Sequence, residues 1–240
     1  MLYSPQNLPA NDNLNRFAYS IAVKDEMFIQ KGKMIAYYGA LRFEAVGSGM
    51  LDILVKEAFN APMYVHNYVV VTGAGSLIVA DNCFDIASFD LADATFTIKA
   101  SHCLGFTKGL RAQESTLPGY LTLVGTGTLL ASSNGPVHFL EPPCRADEQA
   151  VVGWADLPSP SYCYDYAHVT NVLNAVGALS GITLSGEEKQ LDFHGQGTVL
   201  IQSSEGGGGG LLQSIKSQMT GLAPDQLQDL SQSIATRLKG

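Results

Sequence analysis

Short apolar runs rich in Val, Ile, Leu, Tyr and Phe, set off by glycine, dominate the chain and predict β-strands rather than helices. Three of them align: Gly73-Ala-Gly75-Ser-Leu-Ile-Val, Gly125-Thr-Gly127-Thr-Leu-Leu-Ala and Gly195-Gln-Gly197-Thr-Val-Leu-Ile. Each reads Gly-x-Gly, Ser or Thr, then three apolar residues. Each follows another strand-like run: Tyr68 to Thr72, Tyr120 to Val124 and Leu191 to His194. A strand with glycine at alternate positions lacks two side chains on one face, so it bulges or admits a second backbone. Repetition at one place in each unit therefore predicts three equivalent corners around a shared core. Gly47-Ser-Gly49 is an extra pair outside this set.

A second landmark precedes each corner. The runs are Met27 to Tyr37, Ala94 to Phe106 and Tyr162 to Val169, all β-branched or aromatic in character. In the first, Lys31-Gly32-Lys33 supplies a turn. Each copy then reads strand, turn, strand, excursion, strand, Gly-x-Gly, strand. Such copies fall roughly at residues 15–82, 83–135 and 136–205, with an insertion in the third. The expectation is an all-β domain over 1–205. Two excursions, Met50 to Phe59 and Val169 to Leu179, read as short helices, the second weakened by Gly177.

The C-terminal pattern changes in kind. Residues 206–210 are five glycines, a flexible linker, and 211–240 reads as an amphipathic helical tail. Pro224 suits a first helical position, and Leu227, Leu230, Ile234 and Leu238 form one apolar stripe. A tethered helix of this kind docks onto its own domain, a second subunit or another protein partner.

Composition narrows the functional classes. The 240 residues are 46% hydrophobic but only 15% charged, with 25 glycines and ten tyrosines, which suits a turn-rich β protein. A net charge of -8, with 14 scattered Lys and Arg, argues against a nucleic-acid partner. Cys83, Cys103, Cys144 and Cys163 lie far apart without a CxxC pair. The first residues lack a basic region followed by an apolar one, so we expect reduced, mostly buried thiols in a cytoplasmic protein. No uncharged apolar stretch of about 18 residues exists to span a membrane.

Tests for chemistry fail. Gly47-Ser-Gly49 lacks the third glycine of a dinucleotide loop, and neither a GxxxxGK[ST] loop nor a GxSxG elbow is present. His66, His102, His138, His168 and His194 show no HxH or HxxxH spacing. Asp192 with His194, and His66 with Tyr68, alternate onto common strand faces and read as ordinary satisfied or solvated pairs. His102 and Cys103 are neighbours on a strand and so point to opposite faces, which makes Cys103 a buried, inert thiol. Asp90, Asp93 and Glu141 read as solvated turn carboxylates, and Trp154 as core. We therefore expect no enzyme activity, no catalytic or metal-ligating residue and no cofactor.

Three segments in order carry a resemblance. Asp25 to Tyr37 looks like a first-repeat strand-turn-strand, Gly125 to Gly135 a central Gly-x-Gly segment, and Gly195 to Ser203 a closing strand. Together they resemble a bacterial member of the altered-inheritance-of-mitochondria twenty-four family, a former domain of unknown function, over roughly residues 15–205. The resemblance implies three β-sandwich units of the tryptophan-attenuator-protein-like (TRAP-like) type about a pseudo-threefold axis. The eukaryotic namesake is linked to mitochondrial inner-membrane organisation, and no catalytic residue carries over. Two places depart from the pattern. Lys99-Ala-Ser-His-Cys-Leu stands where a glycine turn belongs, with glycine only at Gly105, and Ala167-His168 stands at the third such place.

The leading expectation is a non-enzymatic scaffold or protein-interaction protein, with self-association or a protein partner engaged through the tail. The alternative is small-molecule or metal binding in a cupin-like β cavity. RNA binding follows as a third, by analogy of fold alone. Only Lys216, Arg237 and Lys239 are basic in the tail region, so contact with an anionic membrane surface should be weak.

Overall fold

β-branched and aromatic residues at alternating positions give long strands, and these organise the fold. The structure, a computed structural model, describes residues 3–46, 58–164 and 189–204. Contacts divide the chain into Met1–Glu205 and Gly206–Gly240, and every described residue lies in the first unit. The elements in order are β1 (Asp12–Asn15), β2 (Ala18–Val23), β3 (Met27–Gln30), β4 (Met34–Ala45), β5 (Phe59–Asn60), helix α1 (Pro62–Val65) and β6 (Tyr68–Ala80). They continue with β7 (Asp85–Lys99), β8 (Cys103–Thr107), β9 (Leu110–Glu114), β10 (Tyr120–Ser133), β11 (Val137–Leu140), β12 (Cys144–Asp147) and β13 (Val151–Asp156). The series closes with β14 (Ser159–Tyr164), β15 (Lys189–His194) and β16 (Gly197–Gln202). The described fold is thus nearly all β.

Pairing is antiparallel apart from β5 with β9. Along β6, β4 pairs from end to end, while β3 takes the first half and β2 the second. Along β10, β7 pairs from end to end, while β9 takes the first half and β8 the second. The corresponding third run is split: β12 and β14 flank β15, and β11 and β13 flank β16. Each Gly-x-Gly segment sits where the short-strand partner changes.

The glycines work by close approach. Gly73 (φ +107°) and Gly125 (φ +131°) adopt backbone values that side chains resist, and a Cβ on them would strike the carbonyl oxygens of Ala40 and Gly109. Added carbons on Gly75 and Gly127 would meet the Tyr38 carbonyl and the Thr107 hydroxyl. They do not end strands, as a strand–Gly-x-Gly–strand reading had it. β6 and β10 run through them, β10 with a register shift between Gly125 and Gly127 where β7 carries the extra residue. Only the third run breaks, at Gly195-Gln196, where a Cβ on Gly195 would come no nearer than 4.0 Å to the Leu157 oxygen.

The second landmark keeps its strand-turn-strand form in the first two runs but differs between them in order. Lys31 to Lys33 does turn, with Gly32 at φ +78°, but it joins short β3 to long β4. The run from Ala94 to Phe106 instead joins long β7 to short β8, through a glycine-free turn closed by His102 N donating to the Lys99 carbonyl at 2.9 Å. Gly105 lies inside β8 against the Phe28 carbonyl, not in a turn. The long partner strand follows the short strands that flank β6 and precedes those that flank β10. Two antiparallel hairpins look alike in sequence, so this difference of order is invisible there.

Three apolar clusters form the core. Phe28 and Phe106 stack at 5.0 Å with Tyr68 edge-on to Phe106, and Tyr120, Trp154 and Phe193 form another aromatic group. Trp154 is core, as expected. Helix α1 carries Pro62 at its start and was not anticipated. Phe59 begins β5 rather than ending a helix; residues 50–57, 169–179 and the tail with Leu227, Leu230, Ile234 and Leu238 lie outside the described residues. No described helix is long and apolar enough to cross a membrane.

Candidate functional site

The apolar face of β2, with Tyr19, Ile21 and Val23, meets Met27 and Leu130 to floor a cleft of about 350 Å³. The β2–β3 and β8–β9 turns form part of its rim. There Lys108 Nζ donates to Asp25 at 3.1 Å and to Glu26 at 2.7 Å. The hydrogen bond from Lys108 holds Glu26 below the usual carboxylate range. The two threonine hydroxyls of the cleft are engaged: Thr107 Oγ1 accepts from the Thr128 amide at 3.0 Å, and Thr128 Oγ1 donates to Asp90 at 2.7 Å. The interior that remains is mainly apolar.

Two polar clusters lie elsewhere. Asp81, 3% exposed, accepts from Ser132 Oγ at 2.6 Å and from Asn82 at 3.0 Å and pairs with Lys33. The carboxylate thus joins the β3–β4 turn, the end of β6 and β10. In the second cluster Glu148 accepts from the Tyr162 hydroxyl at 3.0 Å, and its other oxygen meets Lys189 Nζ at 2.6 Å. Its carbonyl accepts from Lys99 at 2.7 Å, and burial pushes the Lys99 amine down. The buried Tyr120 hydroxyl has no hydrogen-bond partner among the described residues, and burial raises it well above its ordinary value. These groups hold strands distant in sequence to one another.

Comparison with known proteins agrees with the fold. The mitochondrial biogenesis AIM24 family matches residues 17–204, a span containing all three Gly-x-Gly segments. The chain belongs to this family. A crystal structure of a Streptococcus pyogenes protein is similar to this AIM24-family chain with a TM-score of 0.59 and 19% identity, covering 88% of this chain and 97% of that one. No curated protein matches.

The residues singled out in the AIM24-family sequence do not converge. His66 caps the end of α1 while Tyr68 is buried in β6, its hydroxyl donating to the Cys103 carbonyl at 3.1 Å, so the two share no strand face. Asp192 and His194 do share one on β15, at 3.4 Å, with Arg145 also on Asp192 at 3.2 Å. His138 meets Ser203 Oγ at 3.0 Å. His102 is in a turn; burial, then Lys99, pushes its imidazole down to about 4. Burial pushes the Cys103 thiol up to about 12. The thiols are not mostly buried, however: all four are free, Cys83 is exposed in the turn after β6, and Cys144 and Cys163 are half-buried. Asp90 and Asp93 are exposed but lie within β7, not in turns, with Asp93 at φ +51° in its bulge. Glu141 is exposed between β11 and β12, and His168 lies outside the described residues. Among the described residues no three His, Cys, Asp or Glu gather as a metal set. Sequence reasoning missed Lys33, Asp81, Ser132 and Glu148, since nothing local marks a polar residue whose partner arrives from another strand.

Proposed function

We propose that this AIM24-family protein is a non-enzymatic scaffold acting through protein contacts in a bacterial cytoplasm, without cofactor or nucleic acid. Its body is three TRAP-like β-sandwich units about a pseudo-threefold axis, at about 15–82, 83–135 and 136–205. The tail at 211–240 is its partner element, through self-association or a second protein. The observation that carries the reading is the use of buried ionisable groups. Asp81 is engaged in tying strands together rather than presented to the cleft. The change of short-strand partner at all three Gly-x-Gly segments supports the triplication.

The test compares the full chain with a 1–205 truncation, and with a variant replacing Leu227, Leu230, Ile234 and Leu238 by Ser. Analytical ultracentrifugation and cross-linking should show assembly or partner capture by the full chain and its loss in both others. Unchanged assembly and partners would remove the tail from this role. The apolar floor of the 350 Å³ cleft favours a second reading, small-molecule binding. Native mass spectrometry of purified protein, with elemental analysis for a metal, checks it; a species held in this cleft, and lost on Ile21→Trp, would displace the scaffold reading.

A further inference from the structure

On the opposite side of the β7–β10 ladder from the cleft lies a groove of about 280 Å³, walled by β7, β11, β13 and β16. Three phenylalanines line it. Phe89 and Phe96 pack at 5.3 Å, and Phe139 stands 62% exposed, a large ring left in water. Leu91 and Leu200, both buried, floor it. Its only ionisable lining groups among the described residues are two carboxylates, Asp90 and Asp156; no Lys or Arg lines it. Among the described residues the Asp90 carboxylate accepts from one side-chain donor, the neutral Thr128 hydroxyl, which orients it without cancelling its charge.

We propose that this groove binds a small hydrophobic organic cation, an alkyl- or arylammonium. Aromatic faces attract cations through their quadrupole, and carboxylates beside an apolar floor add direct charge pairing. A neutral apolar ligand would gain the floor but leave both carboxylates without a counter-charge. An organic anion would be repelled by them. The site follows from charge complementarity and does not depend on the scaffold reading.

The experiment titrates the full chain by isothermal titration calorimetry with benzyltrimethylammonium, benzyl alcohol and benzoate. The cation should bind about tenfold more tightly than the alcohol, and benzoate not at all. Replacing both carboxylates, Asp90→Asn with Asp156→Asn, should weaken the cation about tenfold and leave the alcohol unchanged. Asn can still accept from Thr128, and it tolerates the φ of +64° at Asp156. Phe139→Ala should weaken both ligands. If the double variant melts earlier, the exposed single change Asp156→Asn decides, with a smaller loss in the same direction. Equal affinity for cation and alcohol, absence of binding, or indifference to the carboxylate changes would overturn the proposal. A peptide bearing trimethyllysine that binds far more tightly than the small cation would overturn it too, by making the occupant a protein.

Discussion

The Ser132 hydroxyl donates to Oδ2 of Asp81 at 2.6 Å, joining residues 51 apart in the chain. Asp81 is 3% exposed, and its other oxygen pairs with Lys33, so three segments depend on one carboxylate. Removing one member of a buried pair leaves the other uncompensated, at about 3–5 kcal/mol. Asp81→Ala should therefore destabilise by about that amount, and Ser132→Ala by about 1–2 kcal/mol. Urea unfolding followed by the fluorescence of buried Trp154 measures both. A loss below about 1 kcal/mol for Asp81→Ala would show that the cluster is not a structural tie.

His102 predicts a pH dependence. Burial and Lys99 depress its folded pKa to about 4 from an ordinary 6.5, with a hydrogen bond to the Ser132 backbone and then nearby Asp81 opposing. Between those values the unfolded chain binds more protons than the folded one, so stability rises with pH across that window and levels above it. By pH 4 this group should have cost about 3 kcal/mol. His102→Gln should flatten the part of the pH profile lying between 4 and 6.5. Glu26 acts lower: its depressed pKa gives stability present above the ordinary carboxylate value and lost as pH falls through the folded one.

The thiols should separate by reactivity. Cys83 is exposed, whereas Cys103 is fully buried with its thiol pushed to about 12. A disulfide-exchange reagent at neutral pH should label Cys83 in the native chain and Cys103 only after unfolding. Mass spectrometry of labelled peptides reads this directly; rapid native labelling of Cys103 would contradict its burial.

Local features were legible in the sequence because their causes are local. Val69 to Val71 and Leu121 to Leu123 are strands by residue type, and the Lys31-Gly32-Lys33 turn by its glycine. Partners were not legible. Nothing in Met34 to Ala45 says that β4 pairs along the whole of β6, and nothing beside Asp81 announces Lys33 and Ser132. The groove escaped for the same reason: Phe89, Phe139 and Asp156 meet only after three strands are placed. The expectation of mostly buried thiols failed because burial was inferred from residue type, while a φ of +61° puts Cys83 in an exposed turn.

The glycine pairs return as points of close backbone approach, and they can be ranked. Gly73 and Gly125 combine a positive φ with a carbonyl oxygen where a Cβ would stand, whereas Gly195 has a positive φ but open space. Backbone strain alone costs about 1–3 kcal/mol, and a backbone clash adds to it. The most direct measurement is urea unfolding of Gly73→Ala, Gly125→Ala and Gly195→Ala side by side. The account predicts that the first two lose at least about 2 kcal/mol more than the third. Equal losses at all three positions would contradict it.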